Sequence, residues 1–120
     1  MTSREIGNIG ETCICKYLLK YGYEILKRNY VVRGGEIDII ASNENYIVFV
    51  EVKTRKENSL VSGFDAITKN KKRLIIGAAE KFIRTNKIKL QPRYDICTVT
   101  MRGVQPVRID YIDNAFDIVD

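Results

Sequence analysis

Glu36 and Asp38 stand two apart in GEIDII, and Glu51 and Lys53 stand two apart in VFVEVKT. In a strand this spacing puts both members of a pair on one face, so Glu36 and Asp38 are expected opposite Ile37 and Ile39. Glu51 follows Ile47, Val48, Phe49 and Val50. Charges at the end of so apolar a strand carry a desolvation cost that pairing or a metal must offset. Such a set suits phosphodiester hydrolysis. Two or three carboxylates and a backbone carbonyl supply the hard oxygen ligands of Mg²⁺ or Mn²⁺ and leave places for water and phosphate. A nearby lysine ammonium can stabilise the charge that develops on phosphorus-bound oxygens, or help take a proton if its pKa is depressed. The competing explanation is a salt-bridge network in which Lys53 neutralises Asp38 and Glu51 across neighbouring strands. An isolated E-x-K triplet arises easily by chance; an acidic pair, a turn and an apolar strand ending in E-V-K are far more specific.

The rest of the composition narrows the chemistry. No His occurs among the 120 residues, which removes Ser-His, Cys-His and His-ligated metal mechanisms. Lys and Arg total 20 against 15 Asp and Glu, a net charge of +5 that favours polyanionic partners. The three cysteines are an odd number in a chain too large to need staples, which points to a reducing compartment. Neither a secretory leader nor a run of roughly 18 apolar residues is evident, so a cytoplasmic protein with no membrane partner is expected.

The elements that must position these residues follow from periodicity. Helical spacing predicts a first helix from Ser3 to Tyr21, stopped by Gly22. Strands are predicted over Tyr23–Val31, Glu36–Ser42 and Tyr46–Thr54, the third apolar on both faces and therefore central. A loop over Arg55–Gly63 leads to a second helix, Phe64–Thr85, with Phe64, Ile67, Leu74, Ile75, Ala78, Phe82 and Ile83 on its apolar stripe. Arg93–Met101 reads as a fourth strand and Val107–Ile112, after Pro106, as a short edge strand. One α/β domain spanning residues 1–120, with a mixed central sheet flanked by helices, is expected.

GEIDII followed by IVFVEVKTR, with GETCICKYLLKYGYEILKRNY before and FDAITKNKKRLIIGAAEKFI after, resembles the YraN family of small bacterial proteins. That family is in turn similar to the PD-(D/E)xK nuclease superfamily, especially archaeal Holliday-junction resolvases. The resemblance runs from Gly7 to Phe116. It implies a restriction-endonuclease-like fold and a metal-dependent endonuclease acting on DNA, on branched or repair intermediates. It also implies roles: Asp38 and Glu51 as metal ligands, the Val52 carbonyl as a further ligand, Glu11 of the first helix beside the metal, and Lys53 as the catalytic lysine. Ile37 stands where the superfamily motif has proline, which bears on fine geometry. Glu36 is an auxiliary ligand or a partner of Arg33. The alternative is a non-catalytic nucleic-acid-binding or accessory module on the same scaffold.

Lys69, Lys71, Lys72 and Arg73 form the densest basic cluster. Lys71 lies four residues after Ile67 and three before Leu74, so it is expected to point toward the sheet, at the scissile phosphate or an acidic site residue. Lys69, Lys72 and Arg73 would contact neighbouring phosphates, unless the whole face is merely solvated with one snorkelling lysine. Arg28, Arg33 and Arg55 flank the carboxylate strands as a positive rim. Gly35 and Gly63 fit either a close backbone approach or an ordinary loop. A junction with two-fold symmetry would call for a homodimer.

Overall fold

The computed structural model describes residues 1–59 and 67–117. Helix α1, Ser3–Lys20, starts in a capping box: the Thr2 hydroxyl accepts the Glu5 N–H at 3.1 Å and the Glu5 carboxylate accepts the Thr2 N–H at 3.2 Å. It ends as the sequence predicts, with Gly22 at φ 87°, the Gly22 N–H on the Leu19 carbonyl and the Tyr23 N–H on the Leu18 carbonyl. These two bonds satisfy carbonyls that the helix end would otherwise orphan.

Strands β1 (Glu24–Val32), β2 (Gly35–Ser42) and β3 (Tyr46–Lys56) form an antiparallel meander. Strand β4 (Gln91–Arg102) runs parallel to β3, and β5 (Gln105–Phe116) is antiparallel to β4. The sheet order is β1-β2-β3-β4-β5, so β3 is central as expected. A parallel step needs a crossover, and helix α2, Lys69–Thr85, lies between β3 and β4 in the chain. On one sheet face α1 covers Ile39, Ala41, Val48, Val50, Cys97 and Val99. On the other α2 covers Ile37, Ile40, Ile47, Phe49, Tyr94 and Phe116. Alternate residues of β3 thus enter different cores. The result is a mixed α/β sheet flanked by helices, an arrangement compatible with restriction-endonuclease-like architecture.

Several expectations need correction. Strand β5 is twelve residues long rather than short, because a register shift near Met101 and Pro106 lets the proline sit on the edge without breaking the ladder. Helix α2 begins at Lys69, where the Thr68 hydroxyl accepts the Lys71 N–H at 3.1 Å; Phe64 and Gly63 lie outside the described residues. Leu74 is 37% exposed, and the buried stripe is Ile75, Ala78, Ala79 and Phe82. The helix is rotated so that the Leu74 carbonyl sits over β2. A Cβ at Gly35 would come within 2.7 Å of that oxygen, so Gly35 serves a close backbone approach.

Glu36 and Asp38 do not stand opposite Ile37 and Ile39 in the simple manner expected. Ile37 packs on the α2 side and Ile39 on the α1 side, so the alternation slips at Asp38. The pairs Arg28↔Ile39 and Tyr30↔Ile37 bracket Asn29, whose φ is 49°. Asn tolerates this left-handed conformation, and both strands change face there.

Candidate carboxylate site at the divergence of two strands

The β2–β3 ladder runs from Ser42↔Ile47 to Ile39↔Val50 and stops. Beyond Val50 strand β3 stays paired to β4 as far as Lys56↔Met101, but its other edge has no strand partner among the described residues. The Val52 N–H on that edge would lack a strand partner, and Asp38 Oδ2 accepts it at 2.8 Å. The aspartate side chain thus replaces a ladder bond where the strands separate. Within one strand residue the N–H and C=O point the same way, so the Val52 carbonyl faces the same gap. The Val52 side chain packs toward the α1 core, which puts Glu51 and Lys53 on the α2 side.

Burial raises the Asp38 carboxyl, the nearby charge of Glu51 raises it further, and the Val52 N–H offsets only part of this; it is pushed up to about 7. Glu51 is raised as well, first by burial, against the lowering effect of Lys71 and Lys53. Lys71 Nζ lies 3.8 Å from Glu51 Oε1. The helical lysine therefore points at an acidic site residue, as its spacing predicts. Lys53 makes no ion pair within 4.0 Å among the described residues, so it does not neutralise Asp38 and Glu51 in the way the salt-bridge explanation required. That cation comes from α2 instead.

Glu11 projects from α1 toward the same centre, close enough for its charge to raise Asp38. Its side chain is 12% exposed, and its buried Oε1 has no hydrogen-bond partner, facing Arg28 Nη2 at 3.6 Å. Arg28, half-buried, is anchored to α1. Its guanidinium donates to Thr12 Oγ1 at 3.0 Å and to the Asn8 carbonyl at 3.4 Å, tying β1 to α1. Arg55 also turns inward, donating to the Ser59 carbonyl at 2.9 Å across the turn that follows β3. Arg33 is exposed in the β1–β2 turn and Glu36 is exposed nearby, without an ion pair between them. Lys69 and Arg73 are exposed, while Lys72 lies 5.7 Å from the Phe116 ring.

Among the described residues no three His, Cys, Asp or Glu side chains are grouped closely enough to cage an ion. The donor chemistry nonetheless suits Mg²⁺, which retains several waters and takes only one or two carboxylates from the protein. The orphaned Glu11 oxygen adds a candidate ligand behind them. A cavity of about 570 Å³ between Met1, Ile6, Thr54, Met101 and Val104 is separate from the carboxylates. No helix of the described residues is long and apolar enough to cross a membrane.

A second buried acid was not anticipated. Asp95 on β4 is fully buried, with Arg93 bound to both its oxygens at 3.0 and 2.8 Å, the Tyr111 hydroxyl at 2.5 Å and the Asn114 N–H at 2.9 Å. The available signal was an aspartate with an arginine two residues before it inside an apolar strand.

The uncharacterised protein family UPF0102 matches residues 10–99. A UPF0102 protein of Caldicellulosiruptor saccharolyticus is 44% identical over 118 residues, covering 97% of this chain and 100% of the relative. One from Trichlorobacter lovleyi is 38% identical over 120 residues, covering 97% and 93%. Another from Clostridioides difficile is 38% identical over 117 residues, covering 97% and 100%. With its GEID and EVK segments inside the matched span, the chain belongs to the UPF0102 family, the YraN-like family that those segments resemble.

Proposed function

We propose that this protein is a metal-dependent endonuclease acting on DNA, with branched or repair intermediates as its substrate class. The observation that carries this reading is the convergence of Asp38 and Glu51, both partly buried and both raised, at an unpaired strand edge. A divalent cation there relieves the repulsion that a purely structural site would avoid. Bound between Asp38, Glu51 and the Val52 carbonyl, with Glu11 behind, Mg²⁺ or Mn²⁺ would polarise a phosphate and acidify an attacking water.

The chain's own residues supply the rest. Asp38 is oriented by the Val52 N–H, so its second oxygen is free to bind. Lys53, on the Glu51 face, stabilises charge on the transferring phosphate. Glu36 is an auxiliary acid at the exposed rim, and Lys69, Lys72, Arg73 and Arg33 make phosphate contacts that position DNA without reading its sequence. Arg55, half-buried and tied to the Ser59 carbonyl, would extend that rim beside the carboxylate strand. Three free cysteines accord with a reducing, cytoplasmic setting, and a two-fold junction substrate calls for a homodimer.

The second reading, a non-catalytic nucleic-acid-binding module, is favoured by one observation: Glu51 and Glu11 each already face a cation. Cleavage assays decide between them. Labelled duplex, single-stranded, flap and four-way-junction DNA are incubated with Mg²⁺ or Mn²⁺, with chelator and Asp38→Ala as controls. Cleavage that disappears with chelator and in Asp38→Ala is the expected result. Undiminished cleavage by Asp38→Ala rejects the assignment, and salt-dependent junction binding without any cleavage selects the second reading.

A further inference from the structure

Two cations form ion pairs with the carboxylates of this site, and they are held very differently. Arg28 has three partners on α1: Thr12, the Asn8 carbonyl and Glu11. Among the described residues Lys71 has one, Glu51, at 3.8 Å, and its side chain is 39% exposed where that of Glu51 is 14% exposed. An ion pair so long and so open to water is weak, and a lysine is a compact charge on a flexible stem. Its backbone, by contrast, is fixed. Thr68 caps the Lys71 N–H, and Lys71 continues the buried stripe of Ile75, Ala78 and Phe82. Only the side chain has to move for the pair to break.

The surroundings of Lys71 point to the alternative partner. The first turn of α2 holds Lys69, Lys71 and Lys72, followed by Arg73, and no acid, although the helix dipole there favours acids. Helix α1 follows the ordinary rule, with Glu5 in its first turn. The basic turn works against helix stability and suits an anion brought to that end.

We propose that Lys71 is an exchangeable counter-ion: it holds Glu51 while the site lacks a divalent cation, yields Glu51 when the cation enters, and then takes a phosphate oxygen of the bound DNA. This rests on the assignment of Asp38 and Glu51 as metal ligands. The exchange keeps the charge near Glu51 balanced at each stage and ties the phosphate contact to the arrival of the ion. Lys71 is a positioning residue for Glu51 before it touches substrate.

The test uses Mn²⁺ binding without DNA, measured by calorimetry on the wild type, Lys71→Met, Lys71→Arg, Lys69→Met and Asp38→Asn. Lys71→Met is expected to bind Mn²⁺ roughly threefold or more tightly than Lys69→Met, the scale of one exposed ion pair. Lys71→Arg keeps the charge and is expected to bind no more tightly than the wild type; circular dichroism confirms that each variant is folded. Junction binding is then followed over a salt series with Ca²⁺ or with chelator. With Ca²⁺, Lys71→Met is expected to lower the slope of log affinity against log salt by about 1, as for one lost phosphate contact. With chelator it leaves the slope unchanged. Equal Mn²⁺ affinities for Lys71→Met and Lys69→Met overturn the exchange, and so does an equal loss of slope in both conditions, which would make Lys71 a permanent phosphate contact. Wild type and Asp38→Asn that bind Mn²⁺ identically overturn the metal assignment itself, and the exchange with it.

Discussion

Asp95 and Asp38 are both withdrawn from water on the same sheet, yet their surroundings are opposite in kind. Asp95 receives Arg93, Tyr111 and the Asn114 N–H, and Arg93 in turn donates to the Tyr23 hydroxyl at 2.8 Å and lies over the Tyr23 and Tyr46 rings. The guanidinium pKa is raised by these bonds, and the Tyr111 hydroxyl is pushed up by burial and by Asp95. Asp38 has one backbone donor, and its nearest charges include two other acids. A buried charge with a full set of donors is a structural pin, whereas one left short of donors and crowded by like charge is poised to bind something.

Breaking the pin should have the largest effect. Asp95→Ala leaves Arg93, whose side chain is 12% exposed, without its counter-charge, and should cost about 3–5 kcal/mol in urea denaturation. Asp38→Asn should do the reverse at neutral pH. The folded-state pKa of Asp38, about 7, lies above the ordinary aspartate value of 3.8, so between these values the native state holds a proton that the unfolded chain has released. Stability from this group is therefore greatest at acid pH and falls as pH rises from about 4 through 7. The amide oxygen of Asn can still accept the Val52 N–H. Asp38→Asn should flatten that decline and gain roughly 1–3 kcal/mol at pH 8, at ~1.4 kcal/mol per unit reduced for partial exposure. A variant less stable than the wild type at pH 8 would place Asp38 beside Asp95 as a pin.

Smaller effects sharpen the contrast. Tyr111→Phe removes a single donor to Asp95 and should cost about 1–2 kcal/mol. Adding Mn²⁺ should raise the melting temperature of the wild type at pH 8 and leave that of Asp38→Asn unchanged, since only an ion bound to the native state shifts the equilibrium.

The two regions also differ in how far they could be anticipated. GEID and EVK announce an acidic site because carboxylates beside an apolar strand are chemically conspicuous, and the +5 charge and lack of His restrict what they can do. The Gly22 stop of α1 and the two-faced core strand β3 were equally legible, since each depends on residues within a few positions. Asp95 gave little warning because only Arg93 is near it in the chain; Tyr111 and Asn114 come from β5, and Tyr23, which holds Arg93, comes from before β1.

Local pattern, then, determined the elements, their order and the identity of the acids, because caps, turns and periodicity act over a few residues. Which cation meets which acid was decided only by the assembled sheet and helices. Lys71 rather than Lys53 reaches Glu51, Arg28 turns to α1, Arg55 folds back on Ser59, and the strand alternation slips at Asp38 beside Asn29. These outcomes depend on the rotation of α2 over Gly35 and on where the β2–β3 ladder stops. Both are set by packing between segments far apart in the chain.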